Sequence, residues 1–172
     1  QHHLLLIAAG EVARQLLGRG RLDVQLVDVF VDSAPLLGEA QDIPVVLDSP
    51  MAAKATEIFK KNYDILDEET QDLLRKGDDP LVFENLRVTQ STEESKQLNA
   101  DLSPKIILSA SGMCDAGRIR HHIKHNVYRP ECSIVFVGYQ AEGSLGRLLL
   151  DGRTNIKLFG ETIKKYIGMC LW

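Results

Sequence analysis

This 172-residue sequence predicts an α/β fold built on a mostly parallel sheet. Three observations lead there. Between residues 105 and 160 an apolar run twice ends in a glycine-bearing turn and passes into a helical segment: Ile106-Ile107-Leu108 runs through Ser109-Ala110-Ser111-Gly112-Met113, and Ile134-Val135-Phe136-Val137 runs through Gly138 to Gly143. The same strand–helix rhythm fills the rest of the chain, as parallel strands joined by helical crossovers require. Hydrophobic content of 44% and charged content of 26% are those of an ordinary globular domain. A chain of this length buries roughly two thirds of its unfolded surface, so residues 1–172 are expected to form one domain with a proper core. The sheet is expected to be doubly wound and Rossmann-like, in a three-layer α/β/α arrangement.

The elements follow in order. Leu4 to Ile7 is a short apolar run and predicts a buried strand. Gly10 to Leu17 predicts a helix, with Val12, Leu16 and Leu17 on one face and Gly18 and Gly20 ending it. Asp23 to Asp32 alternates and then turns almost wholly apolar, so it reads as a strand, and Ile43 to Leu47 is the next. Ser49 is a natural N-cap and Pro50 suits the first helical position. The helix they open should run to about Lys61, with Ala55, Ile58 and Phe59 inward. Asp67 to Lys76 has acids first and bases last, as the helix dipole favours, and Gly77-Asp78-Asp79-Pro80 stops it. Leu86 to Thr89 predicts a strand, and Ser91-Thr92-Glu93-Glu94 opens a helix as a capping box. Gly117 to Val127 is the next helix, with Ile119, Ile123 and Val127 as its buried stripe. Ser144 to Leu150 is another, and Asn155 to Phe159 is a final strand.

Strand ends of a parallel sheet are where such folds bind ligands, so the turns there are the candidate sites. Ser109, Ser111 and Gly112 offer hydroxyls and a close backbone approach to a phosphate. The same residues also make a plain tight turn with a helix cap. In Gly138-Tyr139-Gln140-Ala141-Glu142-Gly143-Ser144-Leu145-Gly146-Arg147, Gly143 frees the backbone and Ser144 caps the helix. Arg147 could then grip a phosphate beside the helix start, with Tyr139 stacking on a base. Otherwise the segment is a turn with an Arg147–Glu142 ion pair. It is no Walker loop, because no Gly-Lys-Ser/Thr follows. Arg118, His121 and His125 are expected along one face of their helix, with His122 and Lys124 as weaker phosphate candidates. That face is a solvated basic surface, a phosphate contact or a packing face. His121 and His125 could share a metal, but no Glu sits between them and no third ligand is evident. Asp48 ends a strand, and either orients a neighbouring loop or domain interface or serves only as a cap. Glu68-Glu69 and Glu93-Glu94 complement helix dipoles. Cys114 is either a reactive thiol near a helix start or a small buried residue.

Ser109-Ala-Ser-Gly-Met113, His121-His-Ile-Lys-His-Asn126 and Gly138 to Arg147 together resemble the β-CASP domain of RNA-processing metallo-β-lactamase nucleases, a group related to the cleavage and polyadenylation specificity factor nuclease. The resemblance extends upstream through Asp42 to Phe59 and Gly77 to Asn99, and is strongest over residues 42–161. It implies an RNA-binding cap over a zinc-dependent hydrolase half, with Ser109, Ser111, Gly112, His122, Lys124, Gly138, Tyr139, Gln140, Gly143, Ser144 and Arg147 facing RNA. The hydrolase half's His-x-His-x-Asp-His motif does not occur in this sequence, whose five His are His2, His3, His121, His122 and His125. No catalytic residue, metal ligand or cofactor is therefore expected in this chain, and zinc is expected in the parent protein. The expected partners are single-stranded RNA, bound weakly by the chain alone, and the metallo-β-lactamase domain of the same parent. If the face meeting that domain is apolar and uncovered, a homodimer is expected. The alternative is a stand-alone Rossmann-like module binding a nucleotide or a protein.

Composition narrows these classes further. The net charge of −4 argues against tight autonomous binding to nucleic acid, although Arg118, Arg120 and Lys124 cluster near three His against only Asp115. Cys114, Cys132 and Cys170 show no C-x-x-C spacing, which suits a reducing, cytoplasmic setting. No apolar run reaches the ~18 residues of a membrane span. Leu4 to Ala9 is too short for a signal peptide and lacks a basic flank. The chain opens Gln1-His2-His3 rather than with Met, as an internal start or an appended remnant would. Residues 1–41 and the tail from Lys164 to Trp172 depart from the family pattern, and Cys170 and Trp172 are expected to be a non-native end.

Overall fold

The computed structural model describes residues 4–7, 28–30 and 43–171, apart from positions 78, 80, 83, 137, 166 and 167. The helix expected at Gly10 to Leu17 and most of the strand expected at Asp23 to Asp32 lie outside the described residues. Nine strands and five α-helices are described: β1 (Leu4–Ile7), β2 (Asp28–Phe30), β3 (Val45–Leu47), α1 (Pro50–Lys61), α2 (Glu68–Arg75), β4 (Leu86–Val88), α3 (Thr92–Ala100), β5 (Lys105–Ser109), α4 (Ile119–Asn126), β6 (Cys132–Phe136), α5 (Leu145–Leu150), β7 (Asn155–Leu158), β8 (Glu161–Lys164) and β9 (Gly168–Leu171).

The chain is α/β with a mostly parallel main sheet. Strand β3 pairs in parallel with both β4 and β5, and β6 pairs in parallel with β9. Between β5 and β6, β1 runs parallel to both at their starts, while β2 runs antiparallel to both near their ends. Leu47 stands opposite Leu108, so the next residues along, Asp48 and Ser109, emerge together at the carboxyl edge. That edge also receives the end of β6, because β5 and β6 run the same way. Full burial of β3, β5 and β6 matches the continuous apolar runs expected of such strands.

The core packs α4 and α5 against these strands. Ile119, Ile123 and Val127 are all fully buried, as their spacing predicts. Each contributes roughly 1.5–3 kcal/mol as an upper figure. An isolated eight-residue helix is marginal, so this burial is what holds α4. Phe136, Leu149, Ile156 and Leu158 complete the same cluster.

The expected caps are in place. Ser49 Oγ accepts from Ala52 N with Pro50 in the first turn, and Asp67 caps α2 through Thr70 N. Ser91 Oγ accepts from Glu94 N, while Glu94 accepts from Gln90 N. The inward face of α1 needs correction. Ala52, Ala55, Thr56 and Phe59 form the less exposed stripe, at the i, i+3, i+4, i+7 spacing, whereas Ile58 lies off it and is 63% exposed. The final strand also differs, since Phe159 takes φ +51 in a turn and β7 folds back on β8 as a hairpin. The tail supplies β9, in register with β6 from Ser133 opposite Gly168 onward, and Cys170 stands within it opposite Val135. No helix among the described residues is long and apolar enough to cross a membrane.

Candidate functional site

At the carboxyl edge of β3 the Asp48 side chain is fully buried and gathers four side chains. Ser95 Oγ donates to its Oδ2 at 2.6 Å, and His122 Nε2 meets the same oxygen at 2.6 Å. Arg118 Nη1 donates to Oδ1 at 2.7 Å, and Thr89 Oγ1 also donates to Oδ1. An ionised carboxylate only accepts, so His122 Nε2 is the donor in this contact. Its Nδ1 faces Asn99 Oδ1 at 2.9 Å, and Asn126 Nδ2 donates to the His122 carbonyl at 2.9 Å. Burial alone would raise the Asp48 pKa. The hydrogen bonds from His122, Ser95 and Thr89 outweigh it and hold the carboxyl far below the ordinary carboxylate range. Strands β3 and β4 and helices α3 and α4 are thereby tied at one point.

Ser109 joins this hub from β5. It is fully buried, and its Oγ donates to the Asp48 carbonyl at 3.1 Å. Beyond it the chain turns through residues 110–118 and closes on itself, with Ile119 N donating to the Ala110 carbonyl at 3.2 Å and Ser111 N to the Ala116 carbonyl at 3.1 Å. Gly117 makes this closure fit. Its φ is +78, and a Cβ there would lie 2.2 Å from the Ala110 carbonyl oxygen. Ser111 Oγ accepts from Ala116 N at 3.2 Å, so it braces the loop while staying partly exposed.

The loop after β6 is fastened to this one. Gln140 is only 4% exposed, and its Nε2 donates to the carbonyls of Gly112 (2.8 Å) and Gly138 (3.1 Å). Gly146 N donates to the Met113 carbonyl at 3.0 Å, and Leu145 N to Asp115 Oδ1 at 2.9 Å. Gly146 has no room for a side chain, because a Cβ would sit 1.8 Å from Gln140 Oε1. Ser144 Oγ caps α5 through Arg147 N at 3.1 Å. What the joined loops present outward is Tyr139, 75% exposed, together with Gly138, Gly143 and Met113.

The residues singled out from the sequence thus divide. Gly112, Ser111, Gly138, Tyr139 and Gly143 stand at the surface of the joined loops. Ser109, Gln140 and Ser144 are buried and hold those loops from beneath. His122 is not a surface residue, since helix α4 turns it into the Asp48 hub. Arg118 also leaves the expected basic face and points to Asp48, whereas His121 and His125 remain exposed. Arg147 pairs with Asp151 one turn along (2.8 Å) instead of with Glu142. Lys124 pairs with Glu161 at 2.7 Å. His121 stacks on Phe159 with ring centroids 4.6 Å apart, and Arg120 lies over the same ring at 4.8 Å. Burial, then the neighbouring His122, His125, Arg120 and Lys124, hold His121 below the usual histidine value. Asp48 is not the cap of α1, a role that falls to Ser49, and Cys114 is a small buried residue. Among the described residues no three His, Cys, Asp or Glu side chains are grouped to hold a metal ion.

Thr89, Ser95, Asn99 and Asn126 are the members of the hub that sequence reading missed. A signal existed. Ser95 and Asn99 on α3, like His122 and Asn126 on α4, stand four residues apart and so share a helix face.

The Beta-Casp domain model matches residues 24–149. The chain is 37% identical over 120 residues to Ribonuclease TTHA0252 of Thermus thermophilus, covering 70% of this chain and 28% of that protein. It is 35% identical over 116 residues to Transcription termination factor FttA of Methanocaldococcus jannaschii, covering 67% of this chain and 18% of that protein. Against the factor of the same name from Pyrococcus abyssi it is 30% identical over 160 residues, 92% of this chain and 24% of that protein. The chain thus spans between 18% and 28% of the length of these relatives.

Proposed function

Because this chain belongs to the Beta-Casp domain family, we propose that it is the RNA-binding cap of a larger zinc-dependent ribonuclease acting in RNA processing or decay. In this reading the domain has helices on both faces of its sheet, in three layers, and works in the cytoplasm. Its partner is a metallo-β-lactamase domain of the same protein, which supplies the metal chemistry. The cap alone holds RNA weakly and cleaves nothing.

The observation that carries this reading is the fastening of two glycine loops at one sheet edge, with Tyr139 exposed on top and Gln140 locked below. An exposed aromatic on a rigid platform suits base stacking, which is sequence-tolerant. Partly exposed Ser111 and the glycines at 112, 138 and 143 let the phosphate backbone come close. Arg147 reaches a phosphate by exchanging its exposed partner Asp151, a pairing of little net strength at the surface. Lys124 would do the same with Glu161. Ser109, Gln140, Ser144 and His122 serve this surface by positioning it.

Two measurements test the reading. Fluorescence anisotropy with a labelled single-stranded oligoribonucleotide should show weak, salt-dependent binding, and Tyr139→Ala should weaken it by ~1–3 kcal/mol at an unchanged melting temperature. End-labelled RNA incubated with the chain and zinc should stay intact on a denaturing gel. Metal-dependent cleavage that survives repurification would overturn the proposal. Thermal stabilisation by mononucleotides without any response to RNA would point instead to a nucleotide-binding module.

A further inference from the structure

A cavity of about 440 Å³ lies beside the joined loops, between the start of α4, the helix α5 and the strand β7. Its volume falls in the range of sites that hold small ligands. Three cationic side chains line it, Arg120, Arg153 and Lys157, against the single carboxylate of Asp115. This excess stands out in a chain whose net charge is −4. One oxygen of Asp115 is already engaged by Leu145 N. Arg153 and Lys157 are exposed and have no ion-pair partner among the described residues.

Arg120 is the better-built part. Its guanidinium lies over Phe159, and its Nη1 reaches the Asp115 carbonyl at 3.4 Å. These contacts fix the group's position. Its Nε is buried and has no acceptor among the described residues. Buried donors are seldom left without a partner. An oxyanion in the cavity would meet the Arg120 guanidinium together with the two other cations of its lining.

We propose that this cavity is a phosphate-binding subsite, and that its occupant is a backbone phosphate of the RNA strand that crosses Tyr139. The assignment to RNA rests on the function proposed above. The link is Gly143, which belongs to the same loop as Tyr139 and forms part of the cavity wall. A strand stacked on that loop can therefore lower its next phosphate among the three cations. The site extends past the glycine loops, and of its cations only Arg120 belonged to the basic cluster noted in the sequence.

The test compares Arg153→Gln/Lys157→Gln with the control Lys54→Gln/Lys96→Gln, which removes the same charge from exposed sites outside the cavity wall. Circular dichroism checks that both variants stay folded. With a labelled single-stranded oligoribonucleotide, the cavity variant should bind about tenfold or more weakly, evenly across sequences. Its plot of log affinity against log salt should be shallower by roughly 1.4, the value for two lost single-strand phosphate contacts. The control should stay close to the unaltered chain. If the two variants bind RNA alike, the RNA assignment is overturned. A second arm follows melting temperature in inorganic phosphate against chloride at equal ionic strength. Stabilisation of the unaltered chain but not of the cavity variant supports the phosphate chemistry. If it appears while RNA affinity is the same in both, the cavity serves free phosphate and not RNA. If neither arm separates the cavity variant from the control, the subsite does not exist. Should the unaltered chain bind no RNA at all, the proposed function itself fails, and the phosphate arm alone decides the cavity.

Discussion

Asp48 illustrates how much one side chain can organise. Four donors from β4 or its flank, α3 and α4 converge on a carboxylate with no solvent contact. A buried charge is tolerated only when paired and fully hydrogen-bonded, and removing one partner strands the others. Asp48→Asn should therefore destabilise the domain by about 3 kcal/mol, read as a lower denaturant midpoint at unchanged slope. An effect below about 0.5 kcal/mol, the level of an ordinary surface change, would show that the hub does not hold the edge together. Asp48, Ser49 and Pro50 stood out in the sequence as a strand end. The pairing of Asp48 with His122 did not, because two residues 74 positions apart carry no local trace of their contact. The same reason explains Gln140. Its place in a glycine-rich loop suggested a ligand contact, whereas its amide is used to fasten a second loop 28 residues away.

At the scale of elements, β5 with its loop and α4 is the unit on which the site depends. The loop returns so sharply that Ala110 meets Ile119, and Gly117 sits at the point of closest approach. Gly117→Ala combines a positive φ with a Cβ inside the Ala110 carbonyl, and should cost roughly 2–4 kcal/mol. Gly152→Ala is the useful comparison, since φ there is +79 but nothing lies within 4 Å of the added carbon. If Gly117→Ala is no worse than Gly152→Ala, the close approach is not what makes Gly117 necessary. Element types were legible where the period was clear. The Ile119, Ile123, Val127 stripe and the three apolar strands β3, β5 and β6 came straight from spacing and composition. Ile58 was misplaced because hydrophobicity was weighed above its angle on the helix. Strands β8 and β9 were missed because they are short and are defined by their partners, β7 and β6.

For the whole molecule, the acid response should be dominated by carboxylates held below their ordinary range. Asp48 is one. Asp101 is another, lowered to about 2 by the Ser103 backbone N–H first and then by Lys105. A group whose folded pKa is depressed contributes stability that is complete above its unfolded value, about 4, and that is lost as pH falls through the folded one. Unfolding free energy should thus decline slightly from pH 7 to about 5, where the unfolded chain protonates a His121 that folding holds below its usual value, and fall steeply below about pH 4. Asp48→Asn should flatten that fall, so equal steepness in the variant and the unaltered chain would remove Asp48 as its source. The sequence by itself determined the alternation of strands and helices, the helix caps and the glycine turns, because these depend on neighbours within a few residues. It also placed the chain in its family, through motifs kept in order along it. Only the tertiary structure decided which polar residues face inward. His122 and Arg118 are basic residues on an amphipathic helix, and a one-dimensional pattern cannot tell a solvated basic face from a buried partner for a carboxylate on another strand. Packing α4 against α3 and the end of β3 settles it, since a buried Asp48 must be met by donors, and those are the donors that reach it.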